Sequence, residues 1–490
     1  MPQSNHYSHQ SRSHNDRRRQ QPDEKVQATV NIGQRFPLTI RRLGINGEGI
    51  GYYKHVITFV KGALPEEVVV AEVTAVHPRY LEAKIRSIRK PSPDRVDPRD
   101  AYAGEVGGFE LEHLDYPAQL AFKQDLIRQA LEKYRPAGYR HYDVRPTIGM
   151  TNPYEYRNKA QFQVRLIDGH VAAGLYKENS HDLVDLPTCS VQMPATMTVM
   201  RQVVAWLEEL QVPIYDEEHN SGIVKTIVVR EAAATGEIQL VFITNTPKLP
   251  KKHQLLMKIA EKLPMVVSVM QNINAGKTSL IWGDQTTLLA GKPTITEELD
   301  GLVFDLSARA FFQLNPQQTK KLYRLAREAL NLAPNETLVD AYSGVGTIGL
   351  SLADVAKEVR GMDTIPAAVA DANANAQRNQ ITNAHYEVGE AEVLLPQWLA
   401  SGFAPDAMVV DPPRTGLDNV LIDAILQSAP EKLVYISCNP STLAQDLQAL
   451  TRGYQVDYIQ SIDMFPQTAR CEAVVRFTKR HKFATHCQSY

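Results

Sequence analysis

Cysteine is almost missing from this chain: Cys189, Cys438, Cys471 and Cys487 are the four in 490 residues, far apart from one another. That excludes a disulfide framework and points to a reducing compartment. No run of about 18 apolar residues occurs, which excludes a membrane-spanning helix. The N-terminal stretch MPQSNHYSHQSRSHNDRRRQQ carries no apolar h-region, so no secretory signal is expected. Net charge is nearly absent as well. Lys and Arg number 53 against 55 Asp and Glu, or -2, so no global positive field advertises nucleic acid. What is present, 43% hydrophobic and 22% charged residues, is ordinary globular usage, and about 150 residues per domain suggests about three domains. A cytoplasmic multidomain protein, with no membrane partner, is expected.

Residues 1–30 are rich in Ser, His, Asn, Gln and Arg and are expected to form a disordered tail; residues 483–490 read as a second tail. Residues 31–92 carry short β-branched runs separated by NGEG, KGALP and HPR, which predicts a small Greek-key, OB-like β-barrel. Its exit is basic: Arg79, Lys84, Arg86, Arg89, Lys90, Arg95 and Arg99 stand against Glu82, Asp94 and Asp97. That stretch reads either as a phosphate-facing edge or as a solvated face. A Pro- and charge-rich linker follows at 91–100, then a helix over 117–134 that is expected to pack on the catalytic domain. The rest of 93–302 reads as a mostly β domain. Residues 303–482 alternate apolar strands with amphipathic helices and end in an antiparallel pair, which predicts a doubly wound α/β domain.

Four motifs of that last domain carry chemistry. Asp340-Ala-Tyr342-Ser-Gly344-Val-Gly346 follows a strand and opens a helix, and Asp363 stands at the end of the next strand, where a carboxylate would meet ribose hydroxyls. A nucleoside cofactor is expected; the turn suits S-adenosylmethionine better than a dinucleotide, though spacing does not separate them. Asp411-Pro-Pro-Arg414 sits at a strand's carboxyl end and aims Asp411 and Arg414 into the same crevice. Cys438, in Ser-Cys-Asn-Pro-Ser-Thr, closes a strand just before a helix, whose N-terminus would favour thiolate and a nucleophilic role. Glu472 opens the final strand and is placed to act as a general base. Cys471 beside it has no CxxC or histidine company and marks no metal site.

Taken with Arg309-Ala-Phe311-Phe312-Gln313-Leu-Asn315, these motifs resemble the RNA (uracil-5-)-methyltransferases over about residues 35–480. The resemblance implies a TRAM-like RNA-binding barrel, a central RNA-contacting domain and an S-adenosylmethionine-dependent methyltransferase domain. It implies methylation of C5 of a specific uridine, with Gln313, Tyr342, Gly344, Asp363 and Asp411 contacting the methyl donor, Cys438 adding to C6 and Glu472 removing the C5 proton. Phe311 or Phe312 would stack on the flipped base, and Arg414 would face substrate. The barrel favours 23S ribosomal RNA as substrate over transfer RNA, for which it should be absent. A different class of reading is a non-catalytic RNA-binding protein that senses the cofactor. A monomer is expected.

The chain departs from the family in two places. Where many ribosomal members hold a [4Fe–4S] cluster, this sequence has Asp100, Val106 and Phe109 with only Cys189 left, so no iron–sulfur cluster is expected and packing must hold the loop. Arg470 stands where the family often has histidine.

Overall fold

A computed structural model describes residues 30–178 and 180–480, so both tails lie outside the described residues apart from the tail residue Val30. The chain divides into two compact units. The first comprises residues 30–44 and 48–93, the second 45–47 and 94–480.

The first unit is a six-stranded sheet of β1 (Arg35–Thr39), β2 (Arg42–Leu43), β3 (Gly49–Tyr53), β4 (Val56–Lys61), β5 (Val68–Val76) and β6 (Tyr80–Lys90), in the order β1-β5-β6-β4-β3-β2. Alternation along β1 and β5 sends Phe36, Leu38, Val69, Ala71 and Val73 into one core. The sheet curls until Phe36 of β1 stacks on Tyr53 of β3, ring centroids 3.6 Å apart.

The second unit opens with α1 (Tyr116–Tyr134) and β7 (Asp143–Ile148). A seven-stranded sheet comes next, built from β8 (Lys159–Ile167), β9 (His170–Tyr176), β10 (Leu183–Asp185), β11 (Val224–Glu231), β12 (Ile238–Thr244), β13 (Val266–Ile273) and β14 (Gln285–Gly291), in the order β10-β9-β8-β11-β12-β13-β14. Helices α2 (Pro194–Glu209) and α3 (Lys252–Lys262) bury Val203, Leu207, Leu255 and Ile259 in the same core as Phe162 and Phe242 of that sheet. The boundary expected at residue 302 falls inside a hairpin, β15 (Ile295–Leu299) and β16 (Leu302–Leu306). Asp300 and Gly301 both have positive φ (49° and 85°), the two-residue turn that an Asp-Gly pair favours. Ile295, Leu299, Phe304 and Leu306 enter the core of the catalytic sheet, so the hairpin belongs to the catalytic part of the chain.

That catalytic part runs α4 (Pro316–Leu330), β17 (Thr337–Ala341), α5 (Thr347–Leu352), β18 (Glu358–Asp363), α6 (Pro366–Arg378), β19 (Ala384–Val388), α7 (Ala391–Ala400), β20 (Ala407–Val410), α8 (Asn419–Ser428), β21 (Lys432–Ser437), α9 (Pro440–Leu450), β22 (Tyr454–Ile462) and β23 (Glu472–Lys479). The eight-stranded order is β19-β18-β17-β20-β21-β23-β22-β7. Strands β17 to β21 are mutually parallel and β23 is antiparallel to both neighbours. The order reverses between β17 and β20, and a doubly wound sheet opens its crevice at such a switch point. β7 is a second departure from expectation. It comes from the stretch assigned to the central domain, yet it pairs in parallel with β22 as an edge strand of the catalytic sheet. Pro146 is tolerated there because an edge strand has one side free of ladder bonds. Helix α1 packs against β7 and α9.

Candidate active site

The carboxyl ends of β17, β18, β20 and β21 meet at the switch point. Ala341 pairs with Val410 and with Met362, so the chain leaves β17, β18 and β20 at one level of the sheet. Beyond β17, Tyr342 has φ 65° and Gly344 φ 55°, a left-handed turn that costs Tyr342 strain and leaves open space where a Gly344 Cβ would point. Gly344 N donates to Asp363 Oδ2 (2.9 Å) and Ile365 N to Asp363 Oδ1 (2.9 Å). The carboxylate is thereby fixed, with a lone pair on each oxygen still available. Ile365 beside it is 57% exposed, an apolar surface at the crevice.

Asp340 is buried. Its Oδ2 accepts from Gly349 N (2.8 Å), whereas Oδ1 and the nearby Ser343 Oγ are buried without a partner. Burial pushes the carboxyls of Asp340 and Asp411 up to about 7. Gln313 has its carbonyl held by Asn158 Nδ2 (3.3 Å), and its side chain makes no hydrogen bond among the described residues.

Cys438 and Glu472 come together through β-sheet register. Ser437 pairs with Ala473 in the antiparallel β21–β23 ladder, so Cys438, one residue on, faces Glu472, one residue back. Facing positions hold their Cβ atoms about 5 Å apart. The electrostatics differ from the expectation of a helix-activated thiolate. Burial, Glu472 and Asp411 push the Cys438 thiol up to about 11, outweighing the favourable Arg414. Burial and Asp411 push Glu472 up to about 8, against the opposing pull of Lys123. Two groups facing each other in a dry crevice cannot both be anionic cheaply.

The loop leading into Glu472 is clamped from α1. Gln119 Nε2 donates to Gln467 Oε1 (2.9 Å), and Gln467 N donates back to Gln119 Oε1 (3.0 Å). Lys123 forms a fully buried ion pair with Asp463 and donates to Phe465 O (2.9 Å). Tyr116 Oη donates to Asp463 Oδ2 (2.9 Å). On the other side, the Arg414 carbonyl accepts from Asn439 Nδ2 (2.9 Å) and Thr442 Oγ1 (3.3 Å), tying the Asp411–Arg414 loop to the N-terminus of α9. The Arg414 side chain is exposed at the mouth.

Of the two aromatic candidates, Phe311 is 64% exposed, but Phe312 is a correction. It is 4% exposed and packs against Phe304 (centroids 5.9 Å apart) in the core, so it has no free face for a base. Sequence reading also passed over Tyr156-Arg157-Asn158-Lys159 at the start of β8. Tyr156 Oη donates to Pro466 O (2.9 Å), and burial with Arg230 and Arg157 nearby depresses the Lys159 ammonium to about 7. Arg157, Arg414 and Cys438 all lie close enough to Arg470 to influence its ionisation. Four consecutive polar-tipped residues before an alternating strand were the available signal.

Where a cluster would sit, Asp100 Oδ2 accepts from Ser190 N (2.8 Å) and Glu112 accepts from Asp100 N (3.2 Å) and Ser190 Oγ (2.8 Å). Val106, Phe109 and Cys189 share one hydrophobic core, and burial pushes the Cys189 thiol up to about 12. Among the described residues, no group of three or more His, Cys, Asp or Glu side chains gathers as metal ligands.

Residues 294–480, beginning at the β15–β16 hairpin, match the family described as tRNA (uracil-5-)-methyltransferase, and residues 29–85 match the TRAM domain. The fold and its crevice therefore define a methyltransferase of the doubly wound type with an N-terminal TRAM domain. An uncharacterized RNA methyltransferase of Enterococcus faecalis is 58% identical over 93% of this chain and 100% of its own length; one from Listeria innocua is 54% identical with the same coverage. The chain belongs to the RNA (uracil-5-)-methyltransferase family. Its fold is similar to the crystal structure of Pyrococcus abyssi tRNA (uracil-54, C5)-methyltransferase in complex with S-adenosyl-L-homocysteine, with a TM-score of 0.71, 25% identity, and coverage of 91% of this chain and 100% of that one.

Proposed function

We propose that this chain methylates C5 of a specific uridine in 23S ribosomal RNA through a transient bond between Cys438 Sγ and C6 of the base. The observation that carries this reading is the facing pair of Cys438 and Glu472 at the crevice that also holds Asp363 and Asp411. The residues present fit S-adenosylmethionine. Asp363 is preset for ribose hydroxyls, Asp340 Oδ1 and Ser343 Oγ are buried and unpartnered, and burial raises the carboxyls of Asp340, Asp411 and Glu472, whose charged forms a cationic ligand would favour. Bound there, that cofactor supplies an electrophilic methyl group on a cationic sulfur.

The protein's own part follows from the chemistry of uracil. C5 is a poor nucleophile until Cys438, its thiol proton released to solvent, bonds through Sγ to C6 and pushes the C5–C6 electron pair onto C5 and O4. Once C5 carries the methyl group, Glu472 accepts the C5 proton. The returning electron pair restores the double bond and expels the Cys438 thiolate. Exposed Phe311 offers a stacking face for the flipped uridine, and Arg414 and Arg470 stand near the thiol as counter-charges.

A second reading, a transfer-RNA uridine as substrate, is favoured by the Pyrococcus structure. Coverage of 91% leaves about 44 of 490 residues unmatched, fewer than 31–92 contains. At least part of the barrel thus has a counterpart in a tRNA enzyme, and its presence does not separate the two substrates as expected. Nucleoside mass spectrometry of ribosomal and transfer RNA, from cells with and without this chain, decides. Loss of 5-methyluridine from 23S RNA alone is expected; loss from transfer RNA alone would overturn the ribosomal assignment.

A further inference from the structure

The seven-stranded sheet has a second face. Along β8, Ala160, Phe162 and Val164 enter the domain core, while Lys159, Gln161, Gln163 and Arg165 line up on the opposite side. One end of this row adjoins the crevice. Lys159 stands near Arg157 and Arg230, and Arg230 donates to the carbonyls of Ser307 (3.3 Å) and Ala310 (2.7 Å), directly before Phe311. At the rise of a strand, Arg165 lies about 20 Å further on, and there the row opens into a cavity of about 450 Å³.

Arg165, Tyr176, Tyr215, Lys225, Lys277 and Leu280 form much of the cavity wall. Lys225 is only 7% exposed. Its ammonium donates to the carbonyls of Asn274 (3.0 Å) and Gly276 (2.8 Å) and lies 4.3 Å from the centre of the Tyr215 ring, leaving one N–H for a ligand. The Arg165 guanidinium, 5.2 Å from the same ring, is anchored on the carbonyls of Val164 (2.8 Å) and Lys225 (3.0 Å) and pairs with Glu217 (3.3 Å). Arg165, Lys225 and Lys277 thus outnumber the single carboxylate Glu217. Gln163 accepts from Thr226 Oγ1 (2.9 Å), and its amide NH2 makes no hydrogen bond among the described residues. At the rim Leu280 is 71% exposed.

This wall combines fixed cations, a free amide donor and an exposed apolar rim, groups that suit a phosphate, a base edge and the apolar surface of a base. A bare phosphate would leave Leu280 and Gln163 without a purpose, and a duplex has no protruding part to enter a concavity. We propose that the cavity holds an unpaired nucleotide of the substrate RNA, several positions from the target uridine, with the strand following the Lys159–Arg165 row. The proposal rests on the reading of this chain as an RNA methyltransferase and adds a second, remote point of single-strand recognition.

The test uses the full chain with Lys277→Glu and, separately, Leu280→Ala, both exposed loop positions outside the catalytic crevice. Binding of a fluorescein-labelled oligouridylate is measured by anisotropy across a salt series, alongside calorimetric binding of S-adenosyl-L-homocysteine. Each variant is expected to weaken oligouridylate binding about tenfold, and Lys277→Glu to reduce the salt slope by about 1, with S-adenosyl-L-homocysteine affinity unchanged. Oligouridylate affinity within about twofold of the native chain in both variants would overturn the proposal. So would inorganic phosphate that protects Lys277 from acylation when oligouridylate does not. If the native chain forms no 5-methyluridine but Lys277→Glu still weakens the oligonucleotide, the reaction assignment fails and the cavity assignment stands.

Discussion

At the scale of single residues, the crevice is a problem of too many acids in too little water. The proposed addition to C6 requires Cys438 to leave the thiol state, yet its surroundings hold it there, pushed up to about 11 by burial, Glu472 and Asp411. Activity is therefore expected to climb as pH rises from 6 to 9, with a limb near 8 that reports Glu472 and is lost in Glu472→Gln. That variant is also expected to lose roughly 10²–10⁴-fold in turnover while accumulating a protein–RNA adduct on denaturing gels; Cys438→Ala, lacking the nucleophile, forms none. Stability tracks the same carboxyl with a definite sign. A folded-state value above the unfolded one means that the native protein holds the extra proton, so stability falls as pH rises from about 4.5 towards 8. Glu472→Gln removes that loss. It is expected to raise the melting temperature at pH 8 and to do little at pH 5, as differential scanning fluorimetry at the two pH values will show. Asp363→Ala removes the fixed carboxylate beside Gly344 and is expected to weaken S-adenosyl-L-homocysteine binding about 10- to 100-fold by calorimetry, the worth of charge-assisted hydrogen bonds.

At the scale of elements, most of the catalytic layout is legible in the sequence. Strand-ending motifs such as Asp411-Pro-Pro-Arg414 and Ser437-Cys438-Asn439 announce where a parallel strand stops, and in a doubly wound sheet every such stop faces the same crevice. The part that stays hidden depends on contacts between distant segments. Phe311 and Phe312 are neighbours of identical type, and only the packing of Phe304 against the second decides which is free. Packing of α1 on the catalytic domain is expected from the sequence, but nothing local announces that it reaches across to the loop before Glu472. Its Gln119 and Lys123 read as ordinary polar positions of an amphipathic helix, although both are buried. Lys123→Ala would leave Asp463 as a buried charge without its cation and is expected to cost roughly 3–5 kcal/mol in urea unfolding. The loop at 100–109 has a different support. Phe109 fills core volume beside Val106 and Cys189, so Phe109→Ala is expected to cost about 3–5 kcal/mol by the same measurement.

For the whole molecule, composition misled in one respect. A net charge of -2 hides cations arranged in local sets: those at 79–99, Arg414 and Arg470 near the thiol with Arg157 beside Arg470, and Arg165, Lys225 and Lys277 around the cavity. RNA binding accordingly needs no net positive charge, only cations placed where phosphates pass. Length suggests about three domains, whereas the described residues divide into two compact units, and 93–302 does not end where its pattern changes, since hairpin β15–β16 and strand β7 both belong to the catalytic core and sheet.

Strand β7 has a bearing on how the chain is made. Thr147 Oγ1 and Ser461 Oγ, 2.7 Å apart on β7 and β22, are separated by 314 positions along the chain. On a ribosome, β7 emerges long before the strand it will pair with exists. The edge of the catalytic sheet must therefore wait until β22 has been made, and until then the waiting segment offers a bare backbone ladder to any neighbour. Pro146, which withholds one donor from that ladder, and Asp143 and Arg145, which border it with charge, are residues that keep an unpaired strand from pairing with the wrong partner. Late closure of this edge makes slow, non-local folding the expected behaviour of the enzyme.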